Sequence, residues 1–415
     1  MDLISIADLP HFDDCCPDWR TLGFPENFTD LFAATRSPLL RYRTSDVLIF
    51  RNSDILAMAA NPTAGNTPHD VALKQAAHET AGGQHDAVQR MLRSLVFTSN
   101  PPMHTPKRRV FMQALSPKSV AAMTTVADES ANTLFGGMAD GGTVDFMSDF
   151  CLPFTTRFWG AFLGLTEADI GSLLKLLPAI SPLLYFSRTT DETDIGDGAL
   201  GQYLERVCAA IDVALAHGRH PLIAALHEEF PAVAAIDPEL DRFGVFCAAN
   251  LFDGFHTVSI AIANTVYQLA RHPFEQRRIH QDPALIPAAV TEALRLSNPL
   301  IISERHALAD FEFRDVAIPR GTAIAMLWAA GNQDPEVHHT PSQYNLHRAS
   351  RKEVTFGGGI HICPGRYVVR MLSNAVLTAL VKRGISVQFA GDPPRWIAQS
   401  TVRELVHLPV TLSSI

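Results

Sequence analysis

The 415-residue chain lacks several features that would each give a quick answer. Its six cysteines include no CxxC pair and no matched half-sites. They form neither a disulfide framework nor a zinc module, and are expected to be reduced thiols. No run reaches the ~20 consecutive apolar residues of a bilayer span, and the nearest, Ser172 to Phe186, is broken by Lys175, Pro178 and Pro182. The first residues run into Asp2, Asp8, Asp13 and Asp14, without the basic and apolar regions of a secretory signal. A cytoplasmic protein without a membrane anchor is therefore expected. Basic residues are in the minority, 34 against 43 acidic ones, for a net charge of −9. That balance argues against binding nucleic acid by phosphate neutralisation and against attraction to an anionic membrane. Gly/Ser runs, charge blocks, repeats and low-complexity tracts are missing too. No linker divides the chain, although its length would accommodate two or three domains.

What is present is a globular composition with 47% apolar residues. The first ~70 residues are β-richer, with extended runs at 39–42 and 47–50. A helical core is expected over about 75–300. Ser116-Pro117 and Thr166-Glu167 read as helix starts, and His220-Pro221, Asp237-Pro238, His272-Pro273 and Asp282-Pro283 as punctuation. Ser187 to Gly201, rich in Thr, Asp and Gly, reads as a mobile connection between helices. β-like runs return at 311–318, 322–327 and 385–389. The fold class expected is mainly α with small β-sheets (α+β), as a single domain over 1–415.

The most unusual stretch is Phe356-Gly357-Gly358-Gly359-Ile360-His361-Ile362-Cys363-Pro364-Gly365. Its glycines let the backbone turn sharply and approach a bulky ligand. A phosphate loop is discounted because Gly-Lys-Ser/Thr is absent. A zinc site lacks further ligands at suitable spacing. On the residues alone, a buried structural cysteine remains open. The whole string, however, resembles the haem-binding loop of the cytochrome P450 superfamily, Phe-Gly-x-Gly-x-His-x-Cys-x-Gly, with Arg370 following and Val368-Val369 in place of the usual Leu-Ala. The resemblance implies the superfamily's α+β fold, haem b (iron protoporphyrin IX) as cofactor and Cys363 as its thiolate ligand. Phe356, Gly357 and Gly365 would shape the cradle. A thiolate ligand pushes electron density onto iron and favours O–O cleavage. Pro364 has no N–H to offer the sulfur, which either enriches the thiolate or simply stiffens the loop.

Two more constellations resemble the family's. Glu292-Ala293-Leu294-Arg295 is a helical Glu-x-x-Arg, by itself usually a solvated pair. The segment from Asn332 to Arg348 resembles the one that adds a further arginine, so Glu292, Arg295 and Arg348 are carried over as structural residues. Asn100-Pro101-Pro102-Met103-His104-Thr105-Pro106-Lys107-Arg108 resembles a second signature, with Asn100 at an aspartate position, tolerable at a turn or cap. By resemblance His104, Arg108, Arg305 and His361 would meet the haem propionates.

Leu240 to Leu269 is apolar nearly all round, as a buried central helix should be. Asn250, Asp253, Thr257 and Asn264 form a polar stripe about 60° wide on it. Asp253-Gly254-Phe255-His256-Thr257 resembles the family's oxygen-binding segment. Gly254 and Thr257 match it, with Gly254 implied to leave room for oxygen and Thr257 to hydrogen-bond it. Asp253 stands where a small residue is usual, and His256 where an acid is usual. Asp253 is expected to donate protons or anchor a polar substrate group, and His256 to link the site to outer groups or water. The alternative is that Asp253 caps a kinked helical turn.

These features imply a monooxygenase that oxidises a hydrophobic small molecule with dioxygen and electrons from a separate ferredoxin or flavodoxin, docked near Cys363 against Arg366 or Lys352. Family pocket segments map to 80–98, 180–187, 249–257, 299–303 and 397–401. They are mostly apolar, which suits a terpenoid such as a diterpene gibberellin precursor. The alternatives are a haem-thiolate peroxygenase or rearrangement enzyme, and a non-catalytic haem-binding sensor.

Overall fold

A computed structural model describes residues 3–66, 86–138, 142–185, 188–218, 221–237, 240–349, 352–398 and 400–415. Part of the 80–98 segment, Phe186 and Gln399 lie outside these residues, as do His220 and Pro238. The chain forms two compact units, each assembled from separated segments.

The first unit comprises Met1–Thr67, Asn264–Cys363 and Pro394–Val406. Its five-stranded sheet has the order Leu39–Arg41, Val47–Ile49, Ala323–Met326, Ser303–Ala307, Ala64–Gly65. Only the Val47–Ile49 and Ala323–Met326 pairing is parallel. Aliphatic residues predominate in Leu39–Arg41, Val47–Ile49 and Ala323–Met326, and Leu39, Val47, Ile49, Ile324 and Met326 form a core with Ile55, Met58 and Trp328. The run expected at 311–318 is a hairpin, Phe311–Phe313 paired with Val316–Ile318. Arg314 and Asp315 turn it with φ of 52° and 62°, the left-handed pair that a two-residue hairpin loop requires. The first 66 residues also hold short helices, of which Asn52–Ala59 is the longest.

The second unit comprises Pro68–Ala263, Pro364–Pro393 and His407–Ile415. Both expected helix starts are capped. Ser116 Oγ accepts the Ser119 N–H, and Thr166 forms a reciprocal capping box with Asp169. An aromatic ladder, Phe135, Phe150, Phe146 and Phe154, occupies the core with ring centroids 4.3 to 5.5 Å apart. Ile385–Phe389 pairs antiparallel with Pro409–Ser414, which also pairs with Thr143–Asp145.

One expectation fails here. Of the segment read as a mobile connection, everything from Thr190 onward is helix, in a single run Thr190–His217. Thr189 and Glu192 form a second reciprocal capping box that starts it. Gly196 then lets the helix approach Leu183 so closely that a Cβ there would lie 2.8 Å from Leu183 Cγ. Tertiary packing overrides the low helix propensity of its Thr, Asp and Gly residues.

Candidate active site

In the first unit, Gly357 and Gly359 take φ of 75° and 62°. A side chain at Gly359 would bring its Cβ within 1.9 Å of the Ala59 carbonyl oxygen, so the loop can close only with glycine there. The Cys363 N–H donates to the Phe356 carbonyl at 2.8 Å and shuts the loop. Cys363 lies outside any disulfide and is partly accessible. Asn66 Nδ2 sits 3.0 Å from His361 Nε2.

Behind the loop lies a buried ion cluster. Glu292 accepts Arg295 Nε and Nη2 at 2.9 and 3.0 Å, Arg348 Nε at 2.9 Å and the Asn345 N–H at 3.1 Å. Burial alone would raise the Glu292 pKa. Hydrogen bonds and charge from Arg295 and Arg348 outweigh it and hold the carboxyl below its usual range. Arg295 also donates to the carbonyls of Asn332, Pro341 and Gln343. The Asn332 side chain in turn accepts the Val354 N–H at 2.7 Å and donates to Thr355 Oγ1 at 3.0 Å. The cluster therefore fixes the chain where it enters the glycine loop. Arg305, on strand Ser303–Ala307, is 3% exposed, and burial pushes its pKa down to about 10.

The part of the long helix Phe243–Arg271 that belongs to the second unit carries Asp253, Gly254, His256 and Thr257. The neighbouring helix Leu152–Leu163 braces that turn. Trp159 Nε1 donates to the Gly254 carbonyl at 2.6 Å, and Thr155 Oγ1 to the Phe255 carbonyl at 3.1 Å. A Cβ at Gly254 would meet the Trp159 ring at 2.8 Å. Glycine is thus required for packing, a reason the sequence did not reveal. His256 Nε2 lies 2.5 Å from Ser181 Oγ, and its ring stacks on Phe252. Asp253 retains accessible surface, yet it sits deep enough among protein atoms for burial to raise its pKa, with His256 acting in the opposite direction. His104 and Arg108 lie one turn apart on helix His104–Ala114. Arg108 Nη2 is 3.5 Å from Met112 Sδ. Met103 takes the N-cap position without a side-chain cap bond, while the Asn100 carbonyl accepts the His104 N–H.

The family model "Cytochrome P450" matches residues 243–384, which include the central helix, the ion cluster and the cysteine loop. The chain is 28% identical over 325 residues to cytochrome P450 CYP199A2 of Rhodopseudomonas palustris, across 77% of this chain and 76% of that one. It is 26% identical over 320 residues to 6-deoxyerythronolide B hydroxylase of Saccharopolyspora erythraea, across 76% and 77%. The chain belongs to the cytochrome P450 superfamily. It is a P450 monooxygenase with the superfamily's α+β fold, and its cofactor is haem b. The solved structure of CalO2 has the same fold, with a TM-score of 0.82 at 21% identity over 98% of this chain and 99% of that one.

The residues of this P450 fit the cofactor. Cys363 offers a soft, accessible sulfur at the end of a loop that only glycine can shape. Arg305 offers a buried guanidinium suited to a carboxylate.

The polar stripe divides by use. Asn250 serves structure, accepting the Val96 N–H at 2.8 Å and donating to the Ser94 carbonyl at 2.9 Å. Asn264 donates to the carbonyls of Ser297 and Arg403, both at 3.0 Å. Asp253 and Thr257 lie between these two asparagines on the same helix. Helix Phe243–Arg271 is long and apolar enough to cross a membrane, but most of it is buried in the protein.

Proposed function

We propose that this P450 inserts one atom of dioxygen into a hydrophobic small molecule, with electrons delivered by a separate ferredoxin or flavodoxin. The observation that carries the reading is Cys363, an accessible thiol outside any disulfide, at the end of a loop closed through Gly359 and fixed through Asn332. Haem b, when bound, supplies the iron at which dioxygen is reduced and split.

The chain's own residues do the rest. Cys363 provides its sulfur as thiolate ligand, and Pro364 withholds an N–H that would drain charge from it. Phe356, Gly357 and Gly365 shape the loop around the ligand. His104, Arg108, Arg305 and His361 supply donors for the propionates. Insertion of one oxygen atom consumes two protons, since the second oxygen leaves as water. Asp253 is the candidate proton donor of this segment, and burial shifts its carboxyl toward the protonated form while His256 opposes the shift. It lies one turn before Thr257 on the same helix face, and Thr257 can relay that proton through its hydroxyl. The aliphatic side chains of Leu92, Leu95, Leu183, Leu184, Leu300 and Ile301 favour an apolar substrate, and a terpenoid such as a diterpene gibberellin precursor suits them. Both units belong to one catalytic domain, a reading supported by the five crossings the chain makes between them. Lys352 and Arg366 offer positive charge to an acidic redox partner. A cytoplasmic location belongs to the same reading, as none of the six cysteines is paired in a disulfide.

The test supplies purified haem-loaded protein with NADPH, a surrogate ferredoxin and its reductase, and a panel of terpenoids, fatty acids, steroids and macrolides. Product per NADPH consumed is measured for the wild type, Asp253→Asn and Thr257→Ala. The reading predicts that both substitutions lower that ratio severalfold. Product formed only from hydrogen peroxide indicates a peroxygenase, a reading that the departures at Asp253 and His256 favour. Haem binding without turnover of any kind indicates a sensor.

A further inference from the structure

Three arginines of this acidic chain line one surface cavity of the first unit. The cavity measures about 450 Å³, and its walls carry His11, Asp13, Arg20, Arg41, Arg43 and Thr44. The N-terminal segment runs beside the strand Leu39–Arg41, where His11 bridges Arg41 in parallel and the Arg41 N–H donates to the Pro10 carbonyl at 2.9 Å. Arg20 arrives on the helix Trp19–Leu22, and Arg43 and Thr44 in the turn that leads to Val47–Ile49.

Two of the guanidiniums are held over aromatic rings. Arg20 Cζ lies 4.6 Å from the centre of the Trp19 ring, and Arg43 Cζ 5.1 Å from that of Tyr42. Both rings are buried, with centres 5.5 Å apart. Carboxylates fix the same two arginines further. Asp13 Oδ2 accepts Arg20 Nε at 3.1 Å, and Glu304 Oε1 lies 2.8 Å from Arg43 Nη2. Their positions are therefore set before any ligand arrives.

Donors outnumber acceptors in this lining. Asp13 is the one carboxylate among the lining residues described, and both its oxygens are engaged, Oδ1 by Trp19 Nε1 at 2.7 Å and Oδ2 by Arg20. Asp46 and Glu304, outside the lining, balance Arg43. Arg41 has no such balance. Among the described residues its guanidinium meets no carboxylate, and its Nε is buried without a hydrogen bond. A charged donor left in that state is costly unless an acceptor reaches it. His11 adds another donor, because its Nδ1 accepts the Asp13 N–H at 3.1 Å and leaves the proton of the neutral ring on Nε2. Thr44 adds a hydroxyl.

We propose that this cavity binds a phosphate group, free or carried on a small molecule. Its donors come from His11, from the helix Trp19–Leu22, from the strand Leu39–Arg41 and from the turn that follows it. A tetrahedral phosphate presents three terminal oxygens to donors arriving from separate elements, whereas a carboxylate presents two in one plane. The volume falls within the ~300–1,000 Å³ of sites for small organic molecules, which leaves room for an organic part. The site lies wholly in the first unit and depends neither on haem nor on turnover.

The experiment is calorimetric titration of the full-length haem-loaded protein at low ionic strength, where exposed charges are least screened. The probes are inorganic phosphate and glycerol 3-phosphate, with acetate as the carboxylate control. One equivalent of a phosphate probe is expected to bind, with acetate about tenfold weaker or more. Tighter binding of glycerol 3-phosphate identifies a phosphorylated small molecule, and tighter binding of inorganic phosphate the free ion. Arg41→Gln keeps much of the side chain and removes the charge, so it should weaken binding by about tenfold or more. Arg41→Lys keeps the charge without the planar fork and should fall between it and the wild type. Haem content and circular dichroism should match the wild type in both. Arg20→Gln alters an exposed side chain and is expected to weaken binding by about tenfold, which keeps the test decisive if Arg41→Gln fails to fold. Absence of saturable binding, acetate binding as tightly as phosphate, or undiminished binding in a folded Arg41→Gln or in Arg20→Gln overturns the proposal.

Discussion

Replacing Glu292 with alanine removes the acceptor for four donors at once. Three of them are charged guanidinium N–H groups, from Arg295 twice and Arg348 once, and the fourth is the Asn345 N–H. Arg295 is only 1% exposed, so its charge cannot turn to bulk water. Breaking a buried ion pair from one side costs about 3–5 kcal/mol. Here both arginines keep backbone carbonyl acceptors, Arg295 at Asn332, Pro341 and Gln343 and Arg348 at His339 and Gln343, which places the loss near ~3 kcal/mol. Against a typical total of about 5–15 kcal/mol, that is a large share of the stability. Glu292→Gln keeps one acceptor oxygen but turns an amide N–H toward a guanidinium, so it should lose about 2 kcal/mol. Urea unfolding followed by circular dichroism measures both, and haem content after purification reports on the loop that Asn332 anchors. Because the folded-state pKa of Glu292 is depressed, its contribution is present above its unfolded value and lost as pH falls through the folded one. The gap between the wild type and Glu292→Gln must therefore narrow in acid. A Glu292→Ala protein that loses less than about 1 kcal/mol and loads haem normally refutes this account of the cluster.

His338, fully buried beside that cluster, has its pKa lowered to about 4 by burial and by the charges of Arg295 and Arg348. The unfolded chain takes up this proton near pH ~6.5, so folding loses up to about 3 kcal/mol as pH falls from there to the folded value. His338→Phe should flatten that slope, and parallel slopes for the two proteins in urea titrations from pH 7 to 4 would contradict the assignment. Gly359→Ala combines a left-handed backbone with a Cβ 1.9 Å from the Ala59 carbonyl oxygen, so the loop must move. It should yield protein with haem content reduced severalfold, measured by pyridine haemochrome, while wild-type loading would show that the loop is more tolerant than its geometry implies.

Part of this architecture was legible because it is written locally. Ser116 and Thr166 cap their helices as their sequences suggest, and the glycine–cysteine loop and the Glu-x-x-Arg pair occupy short, fixed spacings. What escaped depends on partners far apart in sequence. Ser181 meets His256 across 75 positions, Trp159 meets Gly254 across 95, and Glu292 receives Asn345 across 53. No periodicity encodes such pairs. The helix starting at Thr190 was hidden for a related reason. Its Thr, Asp and Gly residues have poor propensity, and the capping box and the Gly196 contact with Leu183 offset it. The hairpin at Arg314 and Asp315 was missed because neither residue is the Asn-Gly or Asp-Gly pair that announces such a turn. Gly254 matched the family pattern, but the packing requirement against Trp159 becomes visible only once the two helices are in contact.

Every proposed step depends on Cys363 binding haem iron as a thiolate. The most direct measurement is the absorption spectrum of the reduced carbon monoxide complex of the wild type and of Cys363→Ala, at matched haem content. The red-shifted Soret band, near the wavelength for which the superfamily is named, is expected in the wild type and is expected to be lost completely in Cys363→Ala. The same band in Cys363→Ala would contradict thiolate ligation by Cys363.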